Sequence, residues 1–479
     1  MSRLIDIDPV PELRRRIANE LSAAFDLSKP IRYSRSPGRL DVMGGIADYT
    51  GSLVCEMPLA CAAAVGLQPR ADRSVQIVSF NLLDDHRPFT LVVDLDSLDQ
   101  SNETLQKAFG ESGRKWAGYI AGCLTMLHRD GLIDLHEPSM RGLNLALLST
   151  VPLGAGVSSS AAIEVATMMN LVEHFSLRDR LDAMKIGAMC QRVENEIVGA
   201  PCGIMDQVTS AAGRAGSLLR LVCQPHELKE PLTLPDSIRV VGINSNVKHS
   251  VGGGEYGKTR CAAFMGHKMI LEQMRKFGAE AGRELIADPM RGYLANLDPD
   301  DYKRFFRVVL PETILGKSFI EQFESTIDKA TRVNPDVTYS VQAATDHHVL
   351  EARRVREFVR HLEEAKLACD PKARKLSLDK SGHLMYASHK SYGDNAHLGA
   401  VECDCIVDLV RANESGGLCG AKITGGGSGG TVAVLCDEST LADETLDRVM
   451  LEYAKRTDKS ASLIAGTSDG GWWAGTELA

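Results

Sequence analysis

Apolar runs broken at short intervals by glycine, serine and proline set the rhythm of the first 250 residues. The stretch from Leu53 to Leu67 is apolar apart from a break at Glu56 and Pro58, and reads as a strand. "RSVQIVSF" (73–80) and "GLNLALLST" (142–150) read as two more. The period then changes. "SSSAAIEVATMMNLVEHF" (158–175) has helical spacing with small residues at its start, and 182–198 predicts a second amphipathic helix. "IRVVGINSN" (238–246) is an apolar strand near the crossing between two halves. Further on, 259–277, 341–368, 382–391 and 401–412 predict helices, and 422–436 a loop leading into a strand. The segment 282–338 is mixed, charged and proline-containing, and reads as an insertion. This alternation of strands and helices predicts an α/β or α+β protein.

A chain of 479 residues is long for one domain and comfortable for two. The reading places one domain at 1–235 and a second at 236–479. Hydrophobic content of 44% beside 24% charged residues is enough for a sizeable core. A formal charge of −9 argues against a general polyanion binder, so no nucleic-acid partner is expected. The N-terminus lacks an apolar signal core and no run approaches the length of a membrane span, which predicts a cytoplasmic protein without a membrane partner. The 12 cysteines are scattered singly; Cys403 and Cys405 form a C-x-C pair with no second pair to complete a zinc site, so reduced thiols are expected.

Four stretches carry candidate chemistry. In "PLGAGVSSSAA" (152–162) a strand ends, glycines follow and a helix begins with three hydroxyl residues. That pattern makes either an anion site at a helix N-terminus or a glycine turn with a serine cap. "TGGGSGG" (424–430) is a second glycine loop, permitting close approach of backbone to a ligand. In "ENEIVGAPCGIMDQ" (194–207), Glu194 ends a helix and Asp206 follows a Gly/Pro/Cys corner, where a carboxylate orients a hydroxyl or a metal, or merely caps a loop. "GGGEYGKT" (252–259) satisfies the phosphate-loop pattern, with Lys258 as its lysine, but "VKHSV" separates it from its strand.

Together "SPGRLDVMGGIADYTG", "VPLGAGVSSSAA" and "KITGGGSGG" resemble, in order, the three motifs of the GHMP small-molecule kinases. "VENEIVGAPCGIMDQ", "NSNVKHSVGGGEY", "GHLMYASHKS" and "KWAGY" are similar to the galactokinase branch. The resemblance covers most of the chain outside 282–338 and moves "GGGEYGKT" to a sugar-side segment. It implies an α+β, two-domain fold with the active site in the cleft between domains, and the use of ATP and Mg2+. Carried over by position, the backbone and side chains of Gly154, Ala155, Gly156, Val157, Ser158, Ser159 and Ser160 would wrap the ATP phosphates. Ser159 and Glu194 would hold Mg2+, Trp116 and Tyr119 would lie near the adenine, and Gly425, Gly426 and Gly427 would close over the site. Asp206 would face the sugar C1 hydroxyl with Arg39 beside it. Asp48, Gly203 and Tyr256 would line the sugar. Phosphoryl transfer needs positioning and charge neutralisation above all, which these residue types supply.

The stretch "GRLDVMGGIADYTG" departs from the galactokinase pattern G-R-x-N-x-I-G-E-H-x-D-Y at one pair. Gly45 and Ile46 replace the Glu–His that serves the C6 hydroxymethyl of the sugar. A C6 hydroxyl would find no partner there, so a galacto-configured sugar lacking C6 is expected, and the stretch is also similar to the kinase portion of L-arabinokinases. The expected activity is phosphorylation of the anomeric hydroxyl of L-arabinose to β-L-arabinose 1-phosphate. Galactokinase activity, a non-catalytic sugar sensor of galactokinase descent, and a phosphate-loop NTPase built on Lys258 are the alternatives. Sugar and ATP are the expected partners; monomer and weak dimer are both open.

Overall fold

The computed structural model describes residues 3–5, 8–111, 113–224, 226–248 and 254–479. The strand Leu53–Pro69 organises the first half. Nearly all of it is buried, as its continuous apolar run requires. Its first part pairs with Ser217–Val222 and its second with Leu143–Ser149, while Arg32–Met43 runs antiparallel along almost its whole length. Thr476–Leu478, Ser74–Ser79, Thr90–Asp94 and Glu227–Thr233 complete an eight-stranded sheet. The pairing of Ser74–Ser79 with Leu143–Ser149 is parallel. Helices Lys115–Arg129, Ser159–His174, Ala183–Arg192 and Met205–Ala212 pack into one core with this sheet.

A five-stranded sheet forms the second half, in the order Arg3–Ile5, Ser462–Ala465, Ile238–Asn244, Thr431–Asp437 and Leu418–Ile423. Helices Glu255–Glu280, Val341–Leu367, Pro371–Asp394, Val401–Arg411 and Thr440–Thr457 surround it. Their starts follow local rules. Asp370 accepts from the N–H groups of Lys372 and Ala373 ahead of a proline at the first helical position, and Ser439 caps Thr440–Thr457 in the same way.

The fold is the α+β, two-part arrangement expected, but the two ends of the chain cross over. Arg3–Ile5 adds to the second sheet beside Ser462–Ala465, and Thr476–Leu478 adds to the first beside Arg32–Met43. Each terminal strand thus pairs within the sheet of the opposite half from the one in which a boundary at 235/236 would place it. The segment 282–338 is likewise no detachable appendage. It carries one π-helical turn, two 3₁₀ turns and a short antiparallel pair, Ile314–Leu315 with Thr338–Tyr339. Its Tyr302, Phe306, Leu310 and Phe319 are buried in the second core. The turn Gly45–Thr50, although early in sequence, also contributes Ile46 and Tyr49 to that second core.

Candidate active site

The strand Arg32–Met43 carries Arg39 into the space between the two halves. Its side chain is 3% exposed and its guanidinium touches three groups. Nε and Nη2 reach Asp206 Oδ1 at 2.9 and 2.7 Å, Nη1 donates to the Gly156 carbonyl at 2.8 Å, and Glu56 Oε2 lies 3.3 Å from Nε. Burial opposes its charge, but Asp206, Glu56 and Asp41 outweigh that and raise its pKa. Asp206 stands in the first turn of Met205–Ala212, its carboxylate partly open to the cleft. Glu56 is fully buried, and apart from the ion-pair contact with Arg39 its oxygens have no hydrogen-bond partner among the described residues. Burial, then the neighbouring Asp41, pushes its pKa well above the carboxylate range.

The turn Gly45–Thr50 follows. Gly45 has φ +36°, and a Cβ there would sit 1.5 Å from the Tyr392 hydroxyl. That hydroxyl donates to the Gly425 carbonyl at 2.8 Å and accepts from the Ile46 N–H at 3.1 Å. Asp41 accepts from the N–H groups of Gly45 (3.0 Å) and Gly425 (3.1 Å) and pairs with the buried Lys422. A buried pair with these extra hydrogen bonds fixes the turn against the second glycine loop. Asp48 is buried beside Gly203, where a Cβ would lie 1.5 Å from its Oδ2. Burial and then the charge of Asp206 push the Asp48 carboxyl up to about 7. Behind it Arg260 makes a two-pronged pair with Asp328 (2.9 and 2.8 Å), donates to the Cys202 carbonyl at 3.1 Å and lies 4.9 Å over the Tyr49 ring.

The first glycine loop leaves the strand Leu143–Ser149 and turns through positive φ at Gly154, Gly156 and Ser158 before the helix Ser159–His174 begins. A serine held at φ +59° is uncommon and marks a constrained site. The hydroxyls of Ser158 and Ser159 are buried without a hydrogen-bond partner among the described residues. Ser160 Oγ donates to Glu194 at 3.3 and 3.4 Å, and Gln207 Nε2 donates to Glu194 at 2.8 Å and to Glu164 at 3.2 Å. Burial and then Asp206 push the Glu194 carboxyl up to about 7, against the Ser160 bond that lowers it. The two glycine loops meet where Thr431 Oγ1 donates to the Ala155 carbonyl at 2.8 Å.

One cleft thus gathers Arg39, Ile46, Asp48, Trp116, Tyr119, Gly154, Gly156 to Ser160, Glu194, Gly203, Asp206, Tyr256 and Gly426. Gly45, Ala155, Gly425 and Gly427 stand behind its wall, within the contacts that hold the turn and loops. The serine in contact with Glu194 is Ser160, where the motif pointed to Ser159. Glu194 lies in a π-helical turn, Val193–Val198, one step past the helix end. Part of "GGGEYGKT" lies outside the described residues. Its Lys258 sits in the first turn of Glu255–Glu280, 3.7 Å from Glu255, and does not line the cleft.

Sequence reasoning missed Asn81 and Ser149, which bond reciprocally at 2.8 Å on the wall of the cleft, and it missed Glu56 and the Arg260–Asp328 pair. For Asp41–Lys422 there was a signal. A lysine inside an apolar strand needs a buried acid, and Asp41 stands where the family pattern has asparagine.

The model of the GHMP kinases N terminal domain matches residues 118–214, and that of GHMP kinases C terminal matches 371–456. An L-arabinokinase of Arabidopsis thaliana is 34% identical over 97% of the chain, which spans 48% of that longer protein. A galactokinase of Chloroflexus aggregans is 28% identical over 92% of the chain and 93% of its own length. Among solved structures, Lactococcus lactis galactokinase complexed with galactose superposes with a TM-score of 0.72 at 20% identity, covering 98% of this chain and all of the other.

Proposed function

The chain belongs to the GHMP kinases, and from that premise we propose that it is an ATP-dependent sugar-1-kinase acting on the anomeric hydroxyl of a galacto-configured pyranose. The observation that carries this is the Arg39–Asp206 pair (2.7 Å) in the same cleft as the Ser158–Ser160 helix start and Glu194. Asp206 Oδ takes the proton of the C1 hydroxyl as its oxygen bonds to the γ-phosphorus. The bond from that phosphorus to the β,γ-bridging oxygen breaks, and ADP departs. Arg39 supplies positive charge where the alkoxide develops. The glycine loop and the N-terminus of Ser159–His174 cradle the phosphates.

The orphaned hydroxyls of Ser158 and Ser159 beside a buried Glu194 fit a divalent ion with its phosphates. Glu194 and one of these serines would hold Mg2+, which supplies charge neutralisation on the β- and γ-phosphate oxygens when bound. The Arg39–Asp206 pair, Glu194 and the serines of the glycine loop, gathered in one cleft, support catalysis over mere sugar sensing.

Ile46, on the cleft wall, supports L-arabinose as the acceptor, giving β-L-arabinose 1-phosphate. The second reading is D-galactose, favoured by the galactokinase relatives that match over more than nine-tenths of both chains. An unpartnered buried hydroxyl costs about 1–3 kcal/mol, or roughly 5- to 150-fold in specificity. Comparing kcat/KM for the two sugars on wild type and Ile46→His tests the choice. Arabinose preference that moves toward galactose in the variant supports the first reading; wild-type preference for galactose establishes the second. Position 45 is left alone, because any side chain there meets Tyr392. Asp206→Ala tests the kinase reading itself, with an expected rate loss of about 10²–10⁴-fold and retained ATP binding. A variant keeping more than about a tenth of the rate overturns Asp206 as proton acceptor.

A further inference from the structure

Away from the cleft, Asp99 just after the turn Leu95–Leu98, His128 at the end of the helix Lys115–Arg129 and His136 in the stretch that follows that helix come together. We propose that Asp99, His128 and His136 form a second metal site, taking a zinc-class divalent ion through two imidazole nitrogens and one carboxylate oxygen.

The distances carry it. His136 Nε2 lies 2.9 Å and His128 Nε2 3.6 Å from Asp99 Oδ2, and one donor atom from each residue lies within 4.8 Å of the others. A tetrahedral zinc ion with bonds of about 2.0–2.1 Å holds its ligands about 3.3 Å apart, between the two measured values. The imidazole rings stand nearly perpendicular, 5.5 Å between centroids. The three donor atoms are close enough to share one ion, and Asp99 and His136, each about half exposed, leave the cluster open to solvent.

The surroundings are those of a metal-binding pair of histidines. His136 Nδ1 is 3.3 Å from Asp96 Oδ1, and Asp96 is itself held by Arg73 at 2.6 Å. Such a carboxylate behind a ligating imidazole fixes its tautomer and raises its basicity. His128 Nδ1 lies 3.4 Å from the Ile133 carbonyl and 3.3 Å from the Leu135 N–H, with Asp134 at 3.9 Å. Metal binding selects the tautomer in which Nδ1–H donates to the Ile133 carbonyl, at the expense of the bond Nδ1 accepts from the Leu135 N–H, and frees Nε2 for the ion. Asp96, Asp99 and Asp134 against Arg73 leave the cluster net negative, which favours a cation. The ordinary competitor is a surface His–Asp ion pair, which has no use for two imidazoles on one carboxylate. The consequence is a clip that ties the Leu95–Leu98 turn to the far end of the helix whose first turns carry Trp116 and Tyr119.

The full chain, with Mg2+ in excess, is titrated with Co2+ and with Zn2+ by calorimetry and visible absorption. One equivalent is expected, with the spectrum of nitrogen and oxygen ligation and no thiolate charge-transfer band, a necessary distinction in a chain with 12 cysteines. His136→Ala and Asp99→Asn each remove that equivalent and the accompanying rise in Tm, and leave sugar phosphorylation unchanged. His136 is half exposed, so its variant is not expected to disturb packing. Absence of binding, a thiolate band, or binding that survives in both variants overturns the site.

Discussion

At the scale of single residues, the cleft is a set of carboxylates kept apart in character by their surroundings. Glu56 and Glu164 lie deep, and burial pushes both well above the carboxylate range. Asp48 and Glu194 stand at the cleft and are each pushed up only to about 7. The sign follows. A carboxyl raised from 4.5 to about 7 is bound more tightly to its proton in the folded state, so this group's contribution to stability falls as pH rises between those values. Metal binding runs the other way, because a ligating carboxylate must lose its proton. Below pH of about 7, Mg2+ affinity in the ATP complex should therefore weaken about tenfold per pH unit beyond the effect on ATP itself. Glu194→Gln should lose affinity and also this extra dependence. Magnesium titrations of wild type and variant from pH 5.5 to 8 check it; parallel pH profiles for the two would remove Glu194 from the metal site.

At the scale of elements, the cleft wall around Asp48 and Tyr49 depends on a segment that its composition marked as an insertion. Asp328, within 282–338, holds Arg260 of the helix Glu255–Glu280, and Arg260 in turn holds the Cys202 carbonyl and the Tyr49 ring. Asp328→Asn removes the charge that balances a buried guanidinium. The expected result is a rise in KM for the sugar of about tenfold or more, since 1.4 kcal/mol already suffices, with KM for ATP unchanged. An equal rise in both constants would show a general loss of structure instead. This dependence explains what was legible and what was not. Helices such as Ser159–His174 and Val341–Leu367 carry their period and boundaries locally, and the glycine loops announce themselves by composition. Arg260 and Asp328 are 68 residues apart, and each alone is an ordinary charged residue. Glu56 showed only as a break in an apolar run. Ser160 faces Glu194 at a helix start preceded by Ser158 at φ +59°, a backbone conformation that residue spacing does not announce.

At the scale of the molecule, the two sheets do not belong to two independent units. The first core contains Val355, Phe358 and Leu362 from the helix Val341–Leu367, and the second contains Ile46 and Tyr49 from the early turn. His348, on the same long helix, bonds Tyr49 at 3.0 Å and Thr50 at 3.2 Å. The terminal strands are exchanged, with Thr476–Leu478 paired 444 positions away from its partner and Arg3–Ile5 aligned with Leu463 to Ala465. Large two-part chains commonly unfold in steps, but here opening either half exposes apolar surface of the other. Heating should therefore give one calorimetric transition whose calorimetric and van't Hoff enthalpies agree. The piece 1–235 made alone lacks the edge strand and the apolar side chains of Val341–Leu367, and should show no fixed near-ultraviolet dichroism. Two resolved transitions, one of them reproduced by that isolated piece, would mean that the halves fold separately. The cleft would then be a contact surface between finished domains. A single transition makes the cleft part of the common core, so that loss of packing in either half removes the first glycine loop and the turn Gly45–Thr50 together.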